Sequence, residues 1–212
     1  MSERQTVEVC ADWETLGGPT CVGFLHAVPT RGTEVFSFEY ADAWLSAGHA
    51  LELDPRLQHV RGPQYAEVSG ETFGVFADSA PDRWGRVLMQ RREAQLAREQ
   101  RRSERRLSEL DYLLGAYDGH RMGGLRYRIG NGSYLDGNAE LASPPWTSLR
   151  DLEQASLQLE TAGAERDPRY GAWLRMLIAP GRSLGGARPK ASVLDPKGQL
   201  WLAKFPSAGD QE

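Results

Sequence analysis

The end of the chain limits its possible folds more than any other stretch. Ser183-Leu-Gly-Gly-Ala-Arg-Pro-Lys190 runs into Ala191-Ser-Val-Leu194, Asp195-Pro-Lys-Gly198 and Gln199-Leu-Trp-Leu-Ala-Lys-Phe205. This order predicts a Gly-rich loop, a short strand, a tight turn and a second strand. Pro196 pre-sets one φ, and Gly198 accepts the closing geometry. The strand period of two puts Leu200, Leu202 and Lys204 on one face. That row is expected to be buried and to end with Lys204 at a cleft. Loop amides can point at phosphate oxygens, and a lysine supplies a mobile point charge. The pattern therefore suits a nucleotide-phosphate site, with a surface hairpin after a flexible loop as the competing reading. It is neither G-x-x-x-x-G-K-[ST] nor G-x-G-x-x-G.

Composition bears on the lysines. The chain has 25 Lys plus Arg, of which only Lys190, Lys197 and Lys204 are lysine. Positive charge is otherwise written as arginine, so a lysine in or beside a strand is unexpected on a surface hairpin. Lys197, in the turn, is ordinary.

The terminal segment closely resembles the HipA family, bacterial serine/threonine kinases that usually serve as toxins of toxin–antitoxin pairs. The resembling residues are Ser183 to Lys190 and Leu200-Trp-Leu-Ala-Lys-Phe-Pro-Ser207. Phe73-Gly-Val-Phe-Ala-Asp-Ser-Ala-Pro-Asp-Arg-Trp-Gly-Arg86 agrees, as do Leu110-Asp-Tyr-Leu113 and Met122-Gly-Gly-Leu-Arg-Tyr127. The likeness runs in the same order from about residue 7 to Ser207. It implies ATP with Mg2+ as the family's cofactor, a serine or threonine of a protein as substrate, and a helix-turn-helix antitoxin as partner. By motif, Ser183 falls on the autophosphorylated loop serine. Gly185, Gly186, Ala187, Arg188 and Lys190 fall on the ATP-phosphate loop, and Lys204 on the ATP-binding lysine.

The family's helical lobe, with its catalytic and metal-binding aspartates, has no counterpart here. No H-x-D-x-x-x-x-N or D-F-G-like element occurs, and His120-Arg121 is followed by Met122. The resemblance therefore implies the N-terminal part of a HipA-like kinase, expected to be catalytically incompetent alone. No catalytic or metal-ligating residue is assigned. The alternative is a non-catalytic interaction module that binds an antitoxin or a separately encoded kinase half.

The expected fold class is α+β. Residues 1–130 read as a small β-rich module with a basic helix, 131–147 as a Gly/Asn/Ser/Pro-rich linker, and 148–212 as the start of a kinase-like N-lobe. Strands are expected over Val7 to Asp12, Cys21 to Ala27, Glu34 to Tyr40 and Gly124 to Ile129. Phe36, Phe38 and Tyr40 share a buried face. Asp42 is an expected N-cap for a turn holding Trp44 and Leu45. A helix is expected from about Pro81, with Ser79 a possible cap and Trp84, Val87 and Leu88 on its apolar face. Asp78 and Asp82 read as helix-approach acids rather than a catalytic pair. Short helices follow Ser108 and Asp167-Pro168, and Ser148 with Asp151 forms a near capping box.

No apolar run reaches membrane-spanning length, and no signal-peptide core opens the chain, so a cytoplasmic protein with no membrane partner is expected. Cys10 and Cys21 fall in adjacent strands and read as a reduced pair, a disulfide being the lesser alternative. The four histidines lack metal-ligand spacing. Net charge is −4, yet Pro81 to Arg106 holds nine Arg against four acids, a local +5 that leaves −9 elsewhere. Glu99 and Glu104 interrupt this crest and no aromatics interleave. A solvated helix end is therefore favoured over a direct nucleic-acid site.

Overall fold

A computed structural model describes residues 4–48, 52–116, 121, 123–130, 132, 148–178 and 187–207. Its described strands are β1 (Gln5–Ala11), β2 (Thr20–Thr30), β3 (Thr33–Tyr40), β4 (Gln64–Tyr65), β5 (Leu125–Ile129), β6 (Lys190–Leu194) and β7 (Leu200–Lys204). The described α-helices are α1 (Asp42–Ser46), α2 (Gly74–Ser79), α3 (Arg83–Glu99), α4 (Glu109–Leu114), α5 (Leu149–Glu160) and α6 (Tyr170–Ile178). The fold is mixed α and β. The chain forms two compact units, each discontinuous in sequence. One comprises Met1–Ala80 and Ser108–Gly137, the other Pro81–Leu107 and Asn138–Glu212.

The first unit is built on an antiparallel sheet in the order β4-β3-β2-β1-β5. Its core face carries Val7, Val9, Leu25, Phe36, Phe38, Tyr40 and Tyr127, packed with Trp44, Phe73, Phe76, Leu110 and Leu113. The expected aromatic row on β3 is buried, as its alternation requires. β2 and β3 are joined through Arg31 and Gly32, both at positive φ (36° and 90°), between the paired Thr30 and Thr33. That is the pattern of a type I′ turn, which matches strand twist. At Gly23 a Cβ would lie 2.2 Å from the Glu39 carbonyl oxygen. Only glycine lets β2 approach β3 this closely.

Helix caps depart from expectation in three places. Ala41, not Asp42, occupies the N-cap of α1, and Asp42 sits in the first turn, where it favours the dipole. Asp82, not Ser79, caps α3, its carboxylate accepting from the Gly85 amide at 2.9 Å. Ser79 instead ends the separate short helix α2, and its hydroxyl donates to the Val75 carbonyl. Ser148 makes no side-chain cap to α5. The full capping box lies at Ser108 and Asp111, whose side chains bond each other's backbone amides at the start of α4.

The second unit packs α3, α5 and α6 with the β6–β7 hairpin. Its core holds Trp84, Leu88, Leu152, Ala155, Leu159, Tyr170, Leu174, Leu177, Ala191, Val193 and Phe205. The basic helix thus differs from its expected assignment: α3 belongs with residues that follow the linker, not with 1–130. Its apolar stripe, with Trp84 and Leu88 buried, needs a complementary face, and α5 and α6 supply it. α3 and α6 cross closely at Gly171, where a Cβ would meet Gln95 Nε2 at 2.3 Å. The expected linker, 131–147, lies outside the described residues except for Gly132. Among the described residues no helix is long and apolar enough to cross a membrane.

Candidate functional site

The hairpin that closes the second unit follows from its turn chemistry. Asp195 Oδ1 accepts from the amides of Lys197 and Gln199, each at 2.8 Å. Gly198 takes φ 77° and its amide donates to the Asp195 carbonyl. β6 and β7 pair antiparallel with Lys190 directly opposite Lys204, Ala191 opposite Ala203 and Val193 opposite Trp201. Directly opposed residues share a face, so both lysines project from the same side of the hairpin.

They differ in environment. Lys190 is 1% exposed, and its Nζ donates to Asp82 Oδ2 at 2.5 Å, with the Asp82 side chain also buried. Asp82 therefore has two roles: Oδ1 caps α3 and Oδ2 holds the lysine. Lys204 is exposed, and it has no ion-pair partner among the described residues. Two like charges opposed across a ladder repel. Asp82 removes that repulsion by neutralising one of them.

The expected buried row on β7 is corrected. Leu200 is 47% exposed, Leu202 is half-buried and Lys204 is exposed. The buried strand is β6. Ala191 and Val193 face the helices, and Asp82 satisfies Lys190 on the other side. β7 is the outer strand, with Trp201 54% exposed and its indole N–H donating to Asp195 Oδ2 at 3.3 Å. The loop positions Ser183, Gly185 and Gly186 lie outside the described residues. Ala187 and Arg188 are exposed, immediately before β6. The Phe205 amide donates to the Pro189 carbonyl at 2.9 Å, which ties the end of β7 to the end of the Gly-rich segment. The structure thus brings Lys190 and Lys204 together with the exit of that segment, and it commits Lys190 to Asp82. Sequence reasoning marked Asp82 as a capping acid but missed its ion pair. An acid 108 residues away in sequence carries no local signal for a lysine.

The basic crest is engaged within its own unit. Arg102 donates to both carboxylate oxygens of the buried Glu93, at 2.5 and 3.0 Å, and the Arg105 amide adds a bond at 3.0 Å. The Arg102 hydrogen bonds hold the Glu93 carboxyl down at about 2. Arg91 donates to the Leu159 carbonyl and Arg98 to the Glu165 carbonyl. These arginines tie α3 to its connector and to α5.

The first unit contains a cavity of about 460 Å³ whose walls include Trp13, Glu52, Asp54, Asp78 and Ser79. Asp54 is not a spare acid there. Burial pushes its carboxyl up, but hydrogen bonds from Arg56 and the Val75 amide outweigh this and hold it below the usual range. Arg121 is likewise structural. Its buried guanidinium donates to the carbonyls of Ser79, Leu113 and Ala116 and stacks 4.5 Å over the Tyr127 ring. These carbonyls lie at the C-terminal ends of α2 and α4, where helices leave acceptors without intrahelical donors. Among the described residues, no group of three or more His, Cys, Asp or Glu side chains is placed to hold a metal ion. No family model, curated protein or solved structure matches the chain.

Proposed function

We propose that this chain is the N-terminal part of a HipA-like serine/threonine protein kinase, and that its terminal hairpin contributes the nucleotide-phosphate site. The observation that supports this reading is the unequal lysine pair. Lys190 is neutralised by Asp82, whereas Lys204, directly opposite, keeps an exposed ammonium beside the exit of the Gly-rich segment. An exposed cation at the exit of a segment whose sequence carries Gly185, Gly186, Ala187 and Arg188 fits an anionic ligand of phosphate type. In this reading Lys204 contacts the phosphate as a point charge. Lys190, held by Asp82, positions the strand rather than binding nucleotide.

ATP supplies the transferable phosphoryl group in the family. The described residues offer no fitting metal cluster, and no step is assigned to Mg2+. Ser183 is the proposed autophosphorylation position. Phosphate there would add about −2 charge beside the loop and compete with ATP. A protein substrate and a helix-turn-helix antitoxin are the proposed partners. Phosphoryl transfer needs a positioned acceptor hydroxyl and held phosphates, and these 212 residues carry no H-x-D or D-F-G-like element to supply them. The chain alone is therefore proposed to bind nucleotide without transferring phosphate. A second reading, an interaction module for an antitoxin or a separate kinase half, draws on the exposed Leu200 and Trp201 of the outer strand.

Calorimetric titration of ATP–Mg2+ tests the site. Lys204→Ala should weaken binding by about 1.5–3 kcal/mol, the scale of a hydrogen bond to a charged group, with thermal unfolding unchanged. Equal affinities for wild type and Lys204→Ala, or no ATP binding by the wild type, would remove the assignment. Radiolabelled ATP should leave no label on Ser183 or on added protein, and clear autophosphorylation would contradict the proposed incompetence.

A further inference from the structure

Cys10 and Cys21 are directly opposed in the antiparallel β1–β2 ladder, next to a register shift between Val9 and Cys10. Neither is in a disulfide; Cys10 is buried and Cys21 half-buried. Cys10 Sγ donates to Glu8 Oε1 at 3.5 Å, and Cys21 stands directly across the ladder from Cys10. Glu8 is held in turn by Arg128 Nη2 at 2.5 Å. Opposed residues of an antiparallel ladder have Cα atoms about 4.5 or 5.5 Å apart. Both spacings fall within the range of about 4.4–6.8 Å that a disulfide tolerates.

We infer that Cys10 and Cys21 form a cross-strand dithiol that a low-molecular-weight disulfide oxidises reversibly to an intramolecular disulfide. Cys21, the more exposed, reacts first. Its thiol loses a proton to solvent, and the thiolate attacks one sulfur of the small disulfide. The small S–S bond breaks, and the departing thiolate takes up a proton. Cys10 loses its proton in turn and attacks the Cys21 sulfur of the mixed disulfide, expelling the second small thiol. Two protein thiols lose two electrons and two protons, and one small disulfide becomes two small thiols.

Geometry also makes the bond reversible. Opposed Cβ atoms lie about 4.5–5.5 Å apart, whereas disulfides draw them to about 3.5–4.5 Å. Where closure draws the strands together the disulfide is strained, and a strained disulfide has a more oxidising potential and is readily reduced. The charged groups around the pair are Glu8 on β1, Arg126 and Arg128 on β5, and Asp12, which pairs with Arg126. The neighbouring Cys10 thiol, burial and the Glu8 carboxylate push the Cys21 thiol up. Exchange is therefore slow near neutrality and accelerates as pH rises.

The test is intact-mass spectrometry of the 212-residue protein after incubation with oxidised glutathione at mildly alkaline pH, quenched and alkylated under denaturing conditions. Wild type should lose the mass of two hydrogens, resist alkylation at both cysteines, carry no glutathione and recover fully with dithiothreitol. An opposed thiol has an effective concentration on the order of mM or above, so the mixed disulfide should not accumulate. Cys10→Ser should instead stall with one glutathione on Cys21. Wild type that stays fully alkylatable, stalls as the glutathione adduct or links into dimers would overturn the inference.

Discussion

Each unit buries a cation, and the two are stabilised by different physics. In the first unit, Arg121 donates to three neutral helix-end carbonyls and stacks on the Tyr127 ring. In the second, Lys190 pairs with a carboxylate, that of Asp82. The planar guanidinium fits several fixed acceptors at once, whereas the compact ammonium acts as a point charge that a carboxylate neutralises. Removing a partner therefore has different consequences. Loss of Arg121 leaves neutral acceptors without a donor. Loss of the Asp82 charge removes the counter-charge from a buried ammonium.

The largest expected effect is at Asp82. Asp82→Asn retains a good N-cap for α3 but takes the counter-charge from the buried Lys190 ammonium, and should destabilise by about 3–5 kcal/mol. Pairing it with Lys190→Met should recover much of that loss in a double-mutant cycle read by chemical denaturation. A fully additive cycle would break the comparison.

Arg121→Met comes next, at about 2–4 kcal/mol, from carbonyls left without donors. Should it cost more than Asp82→Asn, the proposed ranking of neutral and charged leftovers is wrong.

Glu93 gives a smaller effect with a pH signature. Its carboxyl is held at about 2, below the ordinary 4.5. A depressed folded-state value contributes stability that is present above about 4.5 and is lost as pH falls from there toward about 2. Glu93→Gln should cost about 1–3 kcal/mol near neutrality and flatten that acid slope in melts recorded across the window. An unchanged slope would place the acid sensitivity elsewhere.

Smallest of all is Lys204→Ala, within about 0.5 kcal/mol in stability, because its side chain is exposed and unpaired among the described residues. Its silence in unfolding, set against its expected effect on ATP binding, separates it from Lys190.

Much of the first unit was legible locally. Phe36, Phe38 and Tyr40 announce a half-buried strand by alternation alone, and Ser108 with Asp111 carries a helix start within four residues. At the hairpin, Asp195 and Gly198 predict the turn that forms. The buried strand was misplaced because alternation identifies residues that share a face but not which face meets a core. Leu200 is apolar and yet exposed, while Lys190 is charged and yet buried.

Strand and helix identity followed from periods, caps and turn residues, each of which acts over a few positions along the chain. Other features arose only when distant segments met. α3 packs with α5 and α6 because its Trp84 and Leu88 stripe requires their apolar faces. Lys190 is tolerated inside because Asp82, 108 positions earlier, brings a carboxylate to it. Cys10 meets Cys21 because the ladder register opposes them. Local propensity acts through neighbours in sequence, whereas desolvation and pairing act through neighbours in space, and these are known only once the chain has folded.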